Sequence, residues 1–238
     1  MPLFIRLPLS ACQPLGRCRR AVQRTLLMLT VAIAIGLCSA APDLDHMQTL
    51  ALTRYGAQGG EAVAAWRRMI NEARELDEAG KLARVNTFFN RRIRFEDDIV
   101  VWKQSDYWAT PLETLGRDAG DCEDFSIAKY MSLRLLEVPA DKLRLVYVRA
   151  RIGAADSTIT QAHMVLSYFE TPSAEPLVLD NLIGEIRPAG RRPDLFPVFS
   201  FNNEGLWVGG TSTSSADPTT RLSRWRDVLE RMRSEGLK

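Results

Sequence analysis

The 238-residue sequence has little cysteine and less histidine. Of its four cysteines, Cys12, Cys18 and Cys38 fall within the first 40 residues, so the rest of the chain keeps one thiol, Cys122. No cysteine pair remains there for a disulfide framework. The two histidines are His46 and His163. Repeats and low-complexity linkers are absent. An excess of charge is absent too: 31 basic residues face 29 acidic ones, a formal net charge of +2. Five of the bases (Arg6, Arg17, Arg19, Arg20, Arg24) and no acid lie in residues 1–41, which leaves 26 bases against 29 acids beyond them, a net −3. The slight basicity therefore belongs to the N-terminal segment, and nucleic acid is not an expected partner.

What that segment does have is the three-part pattern of a secretory signal over residues 1–40. The arginines make a basic region, and residues 26–37 are apolar. Ser39-Ala40-Ala41 offers small residues where a peptidase cuts. The apolar stretch is shorter than the roughly 20 residues that span a bilayer. Cleavage near Ala40 or Ala41 is expected, with an uncleaved anchor as the alternative. Lipidation at Cys38 is disfavoured by Leu37 before it. Export would put Cys122 in an oxidising compartment, where a lone thiol is a liability unless buried or useful.

Residues 41–238 are expected to form one domain. Its first half reads as helix. Residues 43–52 make a short start. In 61–79, Ala62, Ala65, Trp66, Met69, Ile70, Ala73 and Leu76 fall on one stripe, with Gly80 as terminator, and 81–90 continue. Thr110-Pro111-Leu112-Glu113 is a capping box with proline at the first helical position, and Gly116 is expected to end that helix. The next helix starts at Asp121 or Cys122 and runs to about Leu136 before Pro139. The second half changes period: 143–152, 162–170, 176–186 and 197–208 are rich in β-branched and aromatic residues. A final helix carries Leu222, Trp225, Val228, Leu229 and Met232. Helices first and consecutive strands later predict an α+β fold with an antiparallel sheet.

Cys122 lies in Gly120-Asp121-Cys122-Glu123-Asp124-Phe125, at a helix start. His163 lies in one strand-like run and Asp180 in the next. Taken singly, each has a plainer reading: a small buried hydrophobe, a satisfied core imidazole, the first residue of a turn. Together they are the inventory of a cysteine nucleophile with its base and orienter. The thiol must ionise, and a helix N-terminus helps by up to about 2 kcal/mol. One carboxylate at about 6 Å costs the thiolate roughly 2.8 kcal/mol at an effective dielectric of about 20, or about two pKa units. Asp121, Glu123 and Asp124 would outweigh the dipole unless a protonated His163, outward-pointing carboxylates or a bound cation offsets them. Clustered hard oxygen donors suit calcium, although the spacing is not an EF-hand loop. Asp121 as a simple helix cap is the competing expectation.

The order of cysteine on a helix, histidine on a strand and aspartate on the next resembles the transglutaminase-like, papain-related arrangement. Residues 107–115 (Tyr-Trp-Ala-Thr-Pro-Leu-Glu-Thr-Leu), the Gly120–Phe125 run, Lys129-Tyr130, His-Met-Val-Leu at 163–166 and Leu-Asp-Asn-Leu at 179–182 carry the likeness. The chain is similar to the bacterial transglutaminase-like cysteine proteinases, periplasmic proteases of the LapG type. The resemblance implies a papain-related fold with the catalytic helix packed on the antiparallel sheet, and a Cys122–His163–Asp180 triad. It implies calcium held by Asp121 and Glu123, with Asp124 added. It also implies a substrate and a partner. The substrate is a large surface adhesin cut in its N-terminal region beside a pair of alanines, which releases it and disperses biofilm. The partner is an inner-membrane cyclic-di-GMP receptor that sequesters the protease. A transglutaminase-type acyl transferase uses the same triad, and a non-catalytic envelope module that binds a partner protein is the rival from another class.

Overall fold

The computed structural model describes residues 41–209 and 213–237. The leader expected over residues 1–40 lies outside the described residues. Helix α1, Leu44–Ala73, joins the two helices expected at 43–52 and 61–79, and Gly56 marks the break between them with φ 69°. It ends earlier than the stripe suggested. Gly80 is not its terminator but lies inside α2, Glu78–Arg92, because Asp77 caps α2 by accepting the Gly80 N–H at 2.8 Å.

A two-residue strand β1, Arg94–Phe95, pairs in parallel with β2, Ala119–Gly120. Between them run the single-turn α3, Asp98–Val101, and α4, Pro111–Arg117. The capping box at α4 is formed: Thr110 Oγ1 accepts from the Glu113 N–H at 3.2 Å, and Glu113 Oε2 accepts from the Thr110 N–H at 2.8 Å. Helix α4 passes Gly116 and ends at the left-handed Asp118, φ 53°. Gly116 is needed for space instead, since a Cβ there would sit 2.2 Å from the Tyr55 ring.

Helix α5, Cys122–Leu135, is buried at every residue from Asp124 to Leu133. A helix enclosed on all sides need not show a one-sided apolar stripe. It packs on a six-stranded antiparallel sheet made of β3 (Leu143–Arg151), β4 (Thr160–Tyr168), β5 (Leu177–Leu179), β6 (Arg187–Pro188), β7 (Leu195–Phe201) and β8 (Leu206–Val208). The spatial order is β6-β5-β4-β3-β7-β8. The expected strand at 176–186 shrinks to three residues because Asp180 turns the chain, its Oδ1 accepting the Leu182 N–H at 3.0 Å. The expected strand at 197–208 is a hairpin, with Asn202 Oδ1 holding the N–H groups of Glu204 and Gly205 at 2.7 and 3.0 Å. Strand alternation splits the sheet residues between two clusters. Leu143, Leu145, Met164 and Leu166 join the main core, while Val146, Val148, Val165 and Val178 form a smaller one on the other face.

After the one-turn α6, Pro218–Arg221, helix α7, Ser223–Ser234, buries Trp225, Val228 and Met232. Beside this buried face Arg231 donates to the Trp108 carbonyl at 2.5 Å and the Tyr107 hydroxyl at 2.8 Å, and it pairs with Glu113. The C-terminal helix thereby fixes the segment that enters α4. Among the described residues no helix is long and apolar enough to cross a membrane.

Candidate active site

Cys122 is the first residue of α5 and is partly buried. Gly120 lets the chain reach it: a Cβ on Gly120 would lie 2.6 Å from Asp124 Oδ2 and 2.8 Å from Asp124 Cβ. The start of α5 is tied to β4 by Ser126 Oγ, which donates to the Met164 carbonyl at 3.1 Å. The Met164 N–H in turn acts on the Cys122 sulfur. That places the thiol against the backbone of the residue following His163. The thiol donates its proton to Glu123 Oε2 at 2.7 Å rather than to the imidazole. Burial pushes the thiol far above its ordinary pKa, and the charge and hydrogen bond of Glu123, then Asp121, add to the rise.

His163 sits in the middle of β4 opposite Val148. Asp180, expected within a strand, is instead the first residue after β5, which pairs with β4. The turn brings Asp180 Oδ1 to 2.9 Å from His163 Nε2, with both side chains buried. This contact leaves Nδ1 as the ring nitrogen available to a thiol. Asn90 Nδ2 donates to the Asp180 carbonyl at 2.7 Å and pins the turn. Asp180 Oδ2 meets Arg192 Nη2 at 2.8 Å, an ion pair by proximity rather than an aligned hydrogen bond. Burial alone would raise the Asp180 carboxyl. His163, the Leu182 N–H and Arg192 more than reverse this and hold it at about 2. His46, by contrast, is exposed and takes no part in this site, its Nε2 meeting the Ser234 carbonyl.

On the other side of Cys122, the expected cap by the Asp121 side chain is not formed. Asp121 is the N-cap residue by position, yet its side chain accepts no capping N–H. Its carboxyl is pushed up to about 10 by burial and by Glu123, Asp124 and Asp98. Asp124 Oδ1 accepts the Ala109 N–H at 2.7 Å, and one Asp98 oxygen accepts from the Tyr107 N–H. Burial, against the Tyr107 N–H, raises Asp98 to about 6. The remaining oxygens, Asp98 Oδ1, Asp121 Oδ1 and Asp124 Oδ2, are buried without a hydrogen-bond partner. Asp98, Asp121 and Asp124 bring carboxylate oxygens within 4.8 Å of one another, and Asp121, Cys122 and Glu123 form a second such group. Buried orphan oxygens of this kind fit a hard divalent cation. Sequence reasoning missed Asp98 and Arg192. The acidic run Glu96-Asp97-Asp98 was a signal for the first; nothing local pointed to the second.

A cleft of about 400 Å³ opens beside Glu123, walled by Trp108, Tyr147, Phe199 and Leu222, with Asp106 and Arg224 at its rim. The family described as bacterial transglutaminase-like cysteine proteinase, BTLCP, matches residues 54–208. Among solved structures, Legionella pneumophila LapG in an EGTA-treated form is 39% identical, with a TM-score of 0.69 over 81% of this chain and 100% of that one. A calcium-bound form of the same protein is 39% identical, with a TM-score of 0.68 over 79% of this chain and 98% of that one. No curated protein matches.

Proposed function

We infer the function from one premise: the chain belongs to the bacterial transglutaminase-like cysteine proteinases, and it is a cysteine endopeptidase. In our reading Cys122 is the nucleophile, His163 the general base and Asp180 the group that orients the imidazole. The peptide lies in the cleft walled by Trp108, Tyr147, Phe199 and Leu222. His163 Nδ1 takes the thiol proton, and the sulfur attacks the scissile carbonyl. The Cys122 N–H at the start of α5 faces the developing oxyanion. His163 then returns the proton to the leaving amine, and Asp180 stabilises the imidazolium through the 2.9 Å contact at Nε2. Water resolves the thioester.

Asp98, Asp121, Glu123 and Asp124 would hold calcium. When bound, the ion supplies positive charge that offsets the carboxylates around the thiol. Asp124 fixes the start of α5 to the 107–109 segment through the Ala109 N–H, and Asp98 fixes α3 to the same segment through the Tyr107 N–H. The single observation that carries calcium dependence is the trio of buried, partnerless carboxylate oxygens next to the thiol. The calcium-bound form of the Legionella protein supports it. Family resemblance further supports a periplasmic protease, exported by the 1–40 leader. Its substrate would be a large surface adhesin, cut near paired alanines so that biofilm disperses, and its partner an inner-membrane cyclic-di-GMP receptor.

The test is incubation of the purified protein with adhesin N-terminal regions in calcium, in EGTA and in magnesium, followed by sequencing of the fragments. A cut beside paired alanines in calcium alone is the expected result. Magnesium fails because it dehydrates reluctantly and demands stricter octahedral geometry. Full cleavage in EGTA, after verified removal of calcium, would overturn calcium dependence. No cleavage of any adhesin region would remove the substrate assignment.

A further inference from the structure

Asp180 is 1% exposed and is needed as an anion throughout the cycle. His163 can neutralise it only while the ring is protonated. Here the thiol keeps its proton and donates it in a hydrogen bond to Glu123 Oε2, not to the imidazole. A buried carboxylate facing a neutral imidazole is costly unless another cation is present. Among the described residues Arg192 reaches it, and Lys129 acts on it only through charge at longer range. Lys129, on α5, is 1% exposed and its Nζ has no hydrogen-bond partner. Burial lowers its pKa to about 7, against the pull of Asp180, so it is not a dependable charge near neutrality. Arg192 keeps its charge at any working pH. It is 4% exposed, and its Nη2 lies 2.8 Å from Asp180 Oδ2.

Arg192 is itself held in place. Its Nε donates to Asp194 Oδ1 at 3.0 Å and its Nη2 to Asp194 Oδ2 at 2.7 Å, a bidentate fork. Its backbone N–H is bound by the Ala189 carbonyl at 2.9 Å. The guanidinium also borders an apolar cavity of about 240 Å³ lined by Val146, Val148, Val165, Val178 and Leu195. It therefore comes to Asp180 from the sheet face that carries the smaller valine cluster. We propose that Arg192, locked by Asp194, is a positioning residue of the active site: it holds Asp180 ionised and aimed at His163 Nε2 when the imidazole is neutral. The proposal rests on the cysteine-protease reading but is tested without a substrate.

With only two histidines in the chain, ¹⁵N-histidine labelling in a His46→Ala background isolates His163. Calcium-loaded protein should show a downfield, slowly exchanging Nε2–H resonance from the bond to Asp180. Arg192→Met should move it upfield or broaden it beyond detection, and Arg192→Lys, which restores charge without the fork, should fall between. Alkylation of Cys122 by iodoacetamide in calcium should slow about tenfold in Arg192→Met. It should slow no further when Arg192→Met is added to Asp180→Asn, because residues acting as one unit are not additive. An unchanged Nε2–H resonance in folded Arg192→Met or Arg192→Lys would overturn the proposal. So would alkylation losses that multiply in the double variant, since Arg192 would then act independently of Asp180. Absence of proteolysis would leave these readouts standing and would count against the protease reading alone.

Discussion

On one side of Cys122, His163, Asp180, Arg192 and Asp194 form a chain in which each carboxylate meets an imidazole or a guanidinium. On the other side, Asp98, Asp121, Glu123 and Asp124 crowd together, and three of their oxygens are buried with no partner. Both sides hold buried carboxylates, but they are oppositely balanced. The first is satisfied by the chain's own residues and its acid is held at about 2. The second pushes its acids up, Asp98 to about 6 and Asp121 to about 10, and pushes the thiol up with them. In the proposed mechanism, orientation of the base is thus built into the fold, whereas ionisation of the nucleophile awaits the charge of the proposed calcium ion.

The largest expected effect breaks the first side outright. Cys122→Ala should abolish cleavage, and His163→Ala should cost at least about 10³-fold in kcat/KM. His46→Ala, whose imidazole meets the Ser234 carbonyl and not the site, should leave the rate within about twofold. Steady-state assays on refolded, calcium-loaded variants check this, and near-wild-type cleavage by His163→Ala would remove the assigned base.

The next effect sharpens the second side. Asp98→Asn keeps an acceptor for the Tyr107 N–H but removes one negative charge from the cluster. Calcium affinity by calorimetry should fall by at least the ~10–100-fold that even outer-shell partners of a metal cost. Unchanged affinity would exclude Asp98 from the site.

Asp98 also shows where sequence reasoning stops. The helix starting at Cys122, its capping-box neighbour and the order of cysteine, histidine and aspartate all follow from local signals: proline at a helix start, apolar period, turn residues. Contacts made through space do not. Asp98 reaches Asp121 only because β1 and β2 pair over two residues, Phe95 beside Gly120, too short a ladder to leave a pattern. Arg192 reaches Asp180 from a loop beyond a further strand. The bounds of α5 were legible, Cys122–Leu135 against an expected start at Asp121 or Cys122 and an end near Leu136, whereas Gly80 misled because a cap residue three positions earlier claimed its N–H.

A smaller effect concerns pH. Between the ordinary aspartate value and about 6, folded calcium-free protein holds a proton on Asp98 that the unfolded chain has lost. Asp121 extends the imbalance to about 10. Stability of the calcium-free protein should therefore fall as pH rises from about 4 to 8. Thermal unfolding should show calcium raising Tm by more at pH 8 than at pH 5. A calcium effect independent of pH would mean the acids are not titrating as a cluster. The smallest effect touches the joint between the two sides: Ser126→Ala removes the hydrogen bond to the Met164 carbonyl and should cost about 1 kcal/mol in urea unfolding. A neutral substitution would show that the helix start is held to β4 by packing alone.

The most direct measurement is the rate of Cys122 alkylation by iodoacetamide near pH 7, in EGTA and then in calcium, on wild-type protein. The imbalance across the thiol predicts slow alkylation in EGTA and at least about tenfold faster alkylation in calcium, equivalent to one pKa unit or more. Magnesium should not substitute. Equal rates in EGTA and calcium, with calcium binding shown independently, would contradict the claim that the acidic side must be neutralised before the thiol can act.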